Sequence, residues 1–305
     1  MNIIKAIWHK SFIYNKFLDF VEAKSEKTAR QIACKELWDF VIGAKLVDKL
    51  KKDLGDDLYI FCYADCILSE VIFKEKFEVD EIAFVRKFLR KGDVFVDIGS
   101  NIGLFSLIAG KTVQNEGKVL AVEPYSKSFN RLNENIELND LSNVIPVKLA
   151  VSNEIGEAKL QIAEGGYDAW NSLVKPTAGI SVNFEIVNTV TMDELQIKYP
   201  FIENPRLVKI DVEGWEINLL KGCYNYFNRA DSPDLFVEFT EENAQNAGGS
   251  CKELYYLLVD LGYKLYVYDF RKNKLVPHLV MEKYIYCNVF ATKNIKSATE
   301  RLKNK

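Results

Sequence analysis

One segment constrains this chain more than any other: Asp97-Ile98-Gly99-Ser100-Asn101-Ile102-Gly103. It follows a β-branched and aromatic run, VFV, and opens an apolar run at helical spacing, LFSLIAG. A strand that turns directly into a helix needs residues that tolerate unusual backbone angles, and Gly99 and Gly103 supply them. Asp97, at the strand end, is placed to accept hydrogen bonds from a cationic amine. The next strand-like run, VLAV, ends in Glu123. An acid at that tip can hold both hydroxyls of a ribose. The pair predicts a ligand that joins an amine to a nucleoside.

The spacing also separates cofactor classes. A dinucleotide fingerprint wants GxGxxG, with a pyrophosphate resting on the helix N-terminus. Here the pattern is DxGxNxG, and Asn101 would crowd a pyrophosphate at the second glycine position. A nicotinamide oxidoreductase is disfavoured on that ground. A nucleoside without phosphate, S-adenosyl-L-methionine, tolerates the asparagine. After the third strand comes Leu149-Ala150-Val151-Ser152. Small apolar residues in a loop there, Ala150 among them, suit a flat adenine.

Around this motif short β-branched runs alternate with helical segments, which is the mark of βαβ units and a mostly parallel sheet. The expected strands are 93–97, 118–122, 144–148, 206–210, 234–239, 263–268 and 284–290, the last of them antiparallel. Helices are expected at about 80–90, 103–113, 126–138, 216–221 and 250–261. The predicted fold class is α/β, a Rossmann-like domain with a seven-stranded sheet over 56–305. A long insertion, about 152–205, adds strand-like runs at 157–162 and 184–190 around the Gly-rich segment EGGYDAWNSLV. Residues 1–55 read as a helical extension. Ile3, Ile4, Ile7, Trp8, Phe12 and Phe17 recur at helical spacing with Lys5, Lys10 and Lys16 between them, and a second helix is expected at 28–52. The extension either packs on the catalytic domain or meets a membrane surface or protein partner. Residues 58–75 read as extended.

The chain resembles the FkbM family of methyltransferases over about 60–240. The resemblance rests on VFVDIGSNIGLFSLIA, VLAVEPYSKSFNRLNENIELN, VKLAVSNEIGEAKL, VNTVTMDEL, LVKIDVEGWEINLLKG and PDLFVEF. KIDVEGWE and the EP after the second strand are its more specific parts. It implies a class I methyltransferase fold and cofactor binding by Asp97, Gly99, Asn101, Gly103 and Glu123. It also implies O-methylation of hydroxyls, commonly on sugars of glycans, glycolipids or natural products.

Transfer of a methyl group from a sulfonium to a poorly nucleophilic sugar hydroxyl needs positioning and removal of a proton. The two histidines, His9 and His278, fall away from the carboxyl ends of the expected strands, so a carboxylate is the better base. Asp211 and Glu213 follow the fourth strand, where an open α/β sheet binds its ligands, and Glu238 lies on the fifth. Lys209 either pairs with one of these acids or stabilises developing charge. Asp211, Glu213 and Glu238 are also the oxygen set that Mg²⁺ would use, although no dedicated metal motif is present. Asp168, Trp170, Asn171 and Ser172 in the insertion combine an aromatic face with polar groups, a set suited to a saccharide.

Other readings stay open: a small-molecule or lipid-linked acceptor, methylation at nitrogen, or a silent nucleoside-binding module of a biosynthetic assembly. A net charge of −3 over 305 residues lacks the basic character that favours nucleic acid. The six cysteines contain no CxxC pair and read as buried free thiols. No signal-like leader or spanning apolar run is evident, so a cytoplasmic protein is expected.

Overall fold

The computed structural model describes residues 27–174 and 183–303. The helical reading of the first 21 residues lies outside them. The chain divides into two compact units, one of residues up to 52 together with 61–79, the other of 53–60 together with residues from 80 onward.

The first unit contains helix α1 (Lys27–Val41) and helix α2 (Ile67–Phe73). Trp38 of α1 packs on Phe73, ring centroids 5.4 Å apart. Buried Lys52 is satisfied by the Glu75 carboxylate at 2.6 Å and the Cys34 thiol at 3.4 Å. Two expectations fail here. The second helix stops at Val41, and Lys49–Gly55 is a strand, β1, paired with β2 (Leu58–Tyr63). The two-residue turn between them, Asp56-Asp57, has φ of 57° and 54°, the left-handed pair that matches strand twist in a tight hairpin. In turn, 67–73 of the run expected to be extended is helical, because Leu68, Ser69, Ile72 and Phe73 bury one face at helical spacing.

The second unit is a doubly wound α/β domain. Helix α3 (Val79–Phe88) leads into β3 (Val94–Ile98), α4 (Leu104–Val113), β4 (Lys118–Val122), α5 (Ser126–Leu138) and β5 (Val144–Val147). A small insertion sheet follows, of β6 (Ala150–Val151), β7 (Gly156–Ile162) and β8 (Asn183–Val190), and then α6 (Met192–Lys198). The main sheet resumes with β9 (Leu207–Ile210), α7 (Glu216–Gly222), α8 (Tyr224–Phe227) and β10 (Asp234–Phe239). The chain ends through α9 (Glu241–Asn246), α10 (Cys251–Asp260), β11 (Lys264–Asp269), β12 (Lys274–Pro277), β13 (Cys287–Thr292) and α11 (Ile295–Lys303).

The main sheet has eight strands in the order β12-β11-β13-β10-β9-β3-β4-β5. Five adjacent strands, β10 to β5, are parallel. The last strand, β13, is antiparallel to its neighbours β10 and β11. The sequence reading of seven strands is corrected by β12, a four-residue edge strand hairpinned onto β11. Every residue of β9 and β10 is buried, as both faces of a helix-covered parallel sheet require. Both edges carry a proline, Pro146 in β5 and Pro277 in β12.

Strand order reverses at β3, which has β4 on one side and β9 on the other. The crevice outside the carboxyl ends of β3 and β9 is therefore where this topology seats a ligand. On one face of the sheet Phe84 and Phe88 of α3 stack against Phe236, Phe290 and Tyr268, with Phe84 5.1–5.3 Å from each of the other four rings. Among the described residues no helix is long and apolar enough to cross a membrane. We expect Phe84→Ala, at a fully buried centre of this cluster, to cost about 3–5 kcal/mol in urea unfolding followed by circular dichroism.

Candidate functional site

The β3–α4 turn is built from three left-handed residues, Gly99 (φ 84°), Asn101 (49°) and Gly103 (97°). The glycines serve the protein itself. A Cβ at position 99 would lie 1.8 Å from the Asp211 carbonyl oxygen, and one at 103 would lie 2.6 Å from Leu132 Cδ1. Asn101 fits because its short amide tolerates this region and bonds locally: its Oδ1 accepts from Ile102 N at 2.8 Å.

Asp97 is buried, and Ser106 Oγ donates to its Oδ2 at 2.6 Å. Its Oδ1 and the buried Ser100 Oγ have no hydrogen-bond partner. A buried carboxylate oxygen and a hydroxyl left without partners at this turn are groups that a polar ligand would satisfy. Burial raises the Asp97 carboxyl, and the Lys209 ammonium and Ser106 work against the rise. Glu123 accepts from Asn101 N and Tyr125 N, each at 2.8 Å. Its burial outweighs these bonds and pushes its pKa up to about 7. Ala150 sits not in a loop but in β6, paired with Thr189 and packed with Leu160 and Val187.

The acids gather at the ends of β9 and β10. Carboxylate oxygens of Asp211, Glu213 and Glu238 all lie within 4.8 Å of one another. Lys209, 3% exposed, reaches the Asp211 carboxylate at 2.5 Å and lies 4.8 Å over the Phe105 ring. Burial tends to raise Asp211, but Lys209 and a hydrogen bond from Glu238 hold it below the usual carboxylate range. Glu213 and Glu238 go the other way, raised well above the ordinary value by burial and then by the negative Asp211. Asn243 Nδ2 donates to Glu213 at 2.6 Å and Thr240 Oγ1 to Glu238 at 2.7 Å. The arrangement sets one carboxylate held low by Lys209 beside two whose proton affinity burial and the negative Asp211 raise. The same oxygens match the hard ligand set of a small divalent cation such as Mg²⁺.

The loop that carries Asp211 and Glu213 is held against its backbone preferences. Glu213 has φ 52°, and at Gly214 (φ 100°) a Cβ would meet the Asn243 carbonyl oxygen at 2.4 Å. Glu216, buried and raised by burial to about 7, ties the loop down by accepting from Val212 N (3.0 Å) and Gly214 N (3.3 Å). This residue escaped the sequence reading, although an acid at the first position of the following helix is the signal that marks it. Ser106, one helical turn into α4, and Asn243 were also missed, having no motif of their own.

The four insertion residues are brought together, each in a different environment. Asp168 is buried in ion pairs with Lys127 (2.9 Å) and Arg131 (3.2 Å) of α5. Trp170 stacks on Tyr167, centroids 4.5 Å apart, and is 37% exposed. Asn171 Oδ1 accepts from Ala163 N at 2.9 Å, leaving its Nδ2 without a partner. Ser172 Oγ donates to the Glu213 carbonyl at 2.6 Å and accepts from Val174 N. Segment 168–172 therefore joins α5 to the acid loop. His278 is nearer than its sequence position indicated: its ring lies 6.4 Å from that of Phe239, the last residue of β10. It faces Tyr284 Oη at 3.1 Å, and burial lowers its pKa, so it stays neutral within an aromatic cluster. His9 lies outside the described residues. All six cysteines are free thiols, five of them buried.

The chain matches the family described as the methyltransferase FkbM domain over residues 97–265, more than half its length, and belongs to that family. Its main sheet has the seven strands expected from the sequence and one more, β12. It is 32% identical over 148 residues to the hexuronic acid methyltransferase AglP of Haloferax volcanii, covering 48% of this chain and 57% of that protein. The chain thus spans less than two thirds of that relative. It is 31% identical over 182 residues to the methyltransferase sdnD of Sordaria araneosa, covering 51% of this chain and 69% of the other. A solved S-adenosylmethionine-dependent O-methyltransferase from Thermotoga maritima superposes with a TM-score of 0.40 at 14% identity, over 76% of this chain and 73% of that one.

Gly99→Ala places a methyl group on the Asp211 carbonyl at a left-handed φ. We expect a loss of about 3 kcal/mol or more in stability, read as a lowered midpoint in chemical unfolding.

Proposed function

We propose that this chain is an S-adenosylmethionine-dependent methyltransferase that acts on a sugar or glycan hydroxyl. The observation that carries the reading is the acid cluster of Asp211, Glu213 and Glu238 at the carboxyl ends of β9 and β10. It stands beside the orphaned Asp97 and Ser100 oxygens and the Glu123 clamp. In this reading Asp97 and Ser100 receive the amino-acid end of the cofactor, and Glu123 the ribose hydroxyls. When bound, the cofactor supplies an electrophilic methyl on a sulfonium. The protein holds the acceptor oxygen in line with it, excludes competing water and takes up the acceptor's proton.

The acid cluster is the proton acceptor. Asp211 stays anionic through Lys209 and orients the acceptor hydroxyl. Glu213 and Glu238, whose proton affinity is raised, receive the proton as general base. The exposed face of Trp170 is the part of the insertion open to a sugar ring, whereas Asp168, Asn171 and Ser172 shape the segment that presents it. The Haloferax relative named for a hexuronic acid supports a saccharide acceptor.

Three results test this. Calorimetry should show S-adenosylhomocysteine binding to the wild type, weakened about tenfold or more, roughly 1.4 kcal/mol, by Glu123→Ala; no binding to folded wild type sinks the reading. Because Glu123 titrates near 7 and ribose hydroxyls donate to the carboxylate form, affinity should rise about tenfold from pH 6 to pH 8, and the rise should vanish in Glu123→Gln. With a panel of neutral and acidic saccharides, release of S-adenosylhomocysteine should fall about 10²–10⁴-fold in Asp211→Asn while cofactor affinity holds. Loss of wild-type turnover on adding a chelator, restored by Mg²⁺, would instead assign the three carboxylates to a cation.

A further inference from the structure

The end of the sheet that carries the acid cluster has a second feature. In the chain between β12 and β13, Leu279 is 75% exposed and Ile285 81%, with Val280, Met281 and Tyr286 more than a third exposed. The base of this loop is firmly built. Tyr284 is 2% exposed, its ring 5.3 Å from Phe239 and 5.7 Å from His278. Its hydroxyl meets His278 Nε2 at 3.1 Å and accepts from Met281 N at 3.2 Å, and Tyr255 Oη donates to the His278 carbonyl at 3.3 Å. One aromatic residue is thus locked inward while the apolar residues around it are turned out to water.

Its position follows from strand register. Cys287, the first residue of β13, pairs with Phe239, and Asn288 pairs with Glu238 of the acid cluster. The loop departs from mid-strand, where Pro277 pairs with Tyr266, and rejoins the sheet at the carboxyl ends of the parallel strands, beside the acids. The geometry points to a lipid-docking rim: loop 279–286 seats the acid-cluster end of the sheet on a bilayer surface.

Area and charge select this occupant over a second copy of the chain. The five outward side chains expose on the order of 500 Å², large for one patch on a monomer yet below the roughly 800 Å² per partner of a stable protein interface. The polar residues between them, Glu282 and Lys283, cancel in charge and offer no field for a charged partner to read. Protruding aliphatic tips with a tyrosine beside them and a lysine able to extend its ammonium outward are the composition that enters a bilayer interface. Contact of this kind is peripheral and driven by burial of apolar area, so neither anionic lipid nor low salt is required. That the rim orients an acceptor toward the acids rests on the methyltransferase reading; the docking itself does not.

The test is flotation of the full chain with phosphatidylcholine vesicles, in wild type, Leu279→Asp/Ile285→Asp and Ile285→Trp, with calorimetry of S-adenosylhomocysteine and sedimentation velocity on each. We expect the wild type to float at both low and high salt. The double variant should partition at least about tenfold more weakly, and Ile285→Trp more strongly, with cofactor affinity equal in all three. A wild type that stays in solution overturns the proposal. So does a double variant that floats like the wild type, which assigns lipid contact to another surface, or a wild-type dimer that the double variant abolishes, which assigns the loop to a second copy. Flotation without cofactor binding would retain the rim and reject the methyltransferase reading.

Discussion

The site depends on one buried cation. Lys209 lies in the middle of the sheet, its register partner on β3 is Asp97, and its ammonium meets Asp211. An isolated ammonium there would be costly to bury. With acids on two strands around it, it becomes the charge against which both halves of the crevice are set. Its field opposes the burial-driven rise at Asp97 and holds Asp211 anionic. The anionic Asp211 in turn helps drive Glu213 and Glu238 toward protonation. Neighbouring carboxylates thus acquire different proton affinities around one lysine, the kind of separation on which acid–base chemistry relies.

Backbone contact reinforces this electrostatic link. Asp211 N donates to the Ile98 carbonyl at 3.1 Å, and the Asp211 carbonyl fills the space that a side chain at Gly99 would need. The β3–α4 turn and the loop that bears the acids are therefore one packed body. Ser172 extends it into the insertion through the Glu213 carbonyl, and Asp168 carries the same segment across to α5. A left-handed Glu213 persists because its side chain, its carbonyl and its neighbours' amides are each bonded elsewhere.

Much of this was legible in the sequence because the parallel strands are buried on both faces and so read as short apolar runs. The glycine turn and the two acids at strand tips were legible for the same topological reason: ligands meet this fold at fixed places. What stayed hidden has local causes. KLKKDLG of β1 carries too much charge to read as a strand, and only its Asp-Asp turn signals the hairpin. ILSEVIF is β-branched yet folds as α2 because its buried face follows helical spacing. Ala150 lies in a two-residue strand whose partner is 39 residues away, beyond any local pattern. The β11–β12 hairpin carries His278 back to β10, so that distance along the chain misjudged distance in space.

The two edge prolines bear on strand pairing between molecules. In β5 the carbonyls of Asn143 and Val147 accept from β4, which leaves the nitrogen of Pro146 facing outward. In β12 the amide of His278 bonds inward to Leu265, which leaves that of Pro277 facing outward as well. Each rim of an otherwise open eight-stranded sheet thus lacks a donor where a foreign strand would register. Each proline thereby weakens its rim as a template on which a foreign strand could pair.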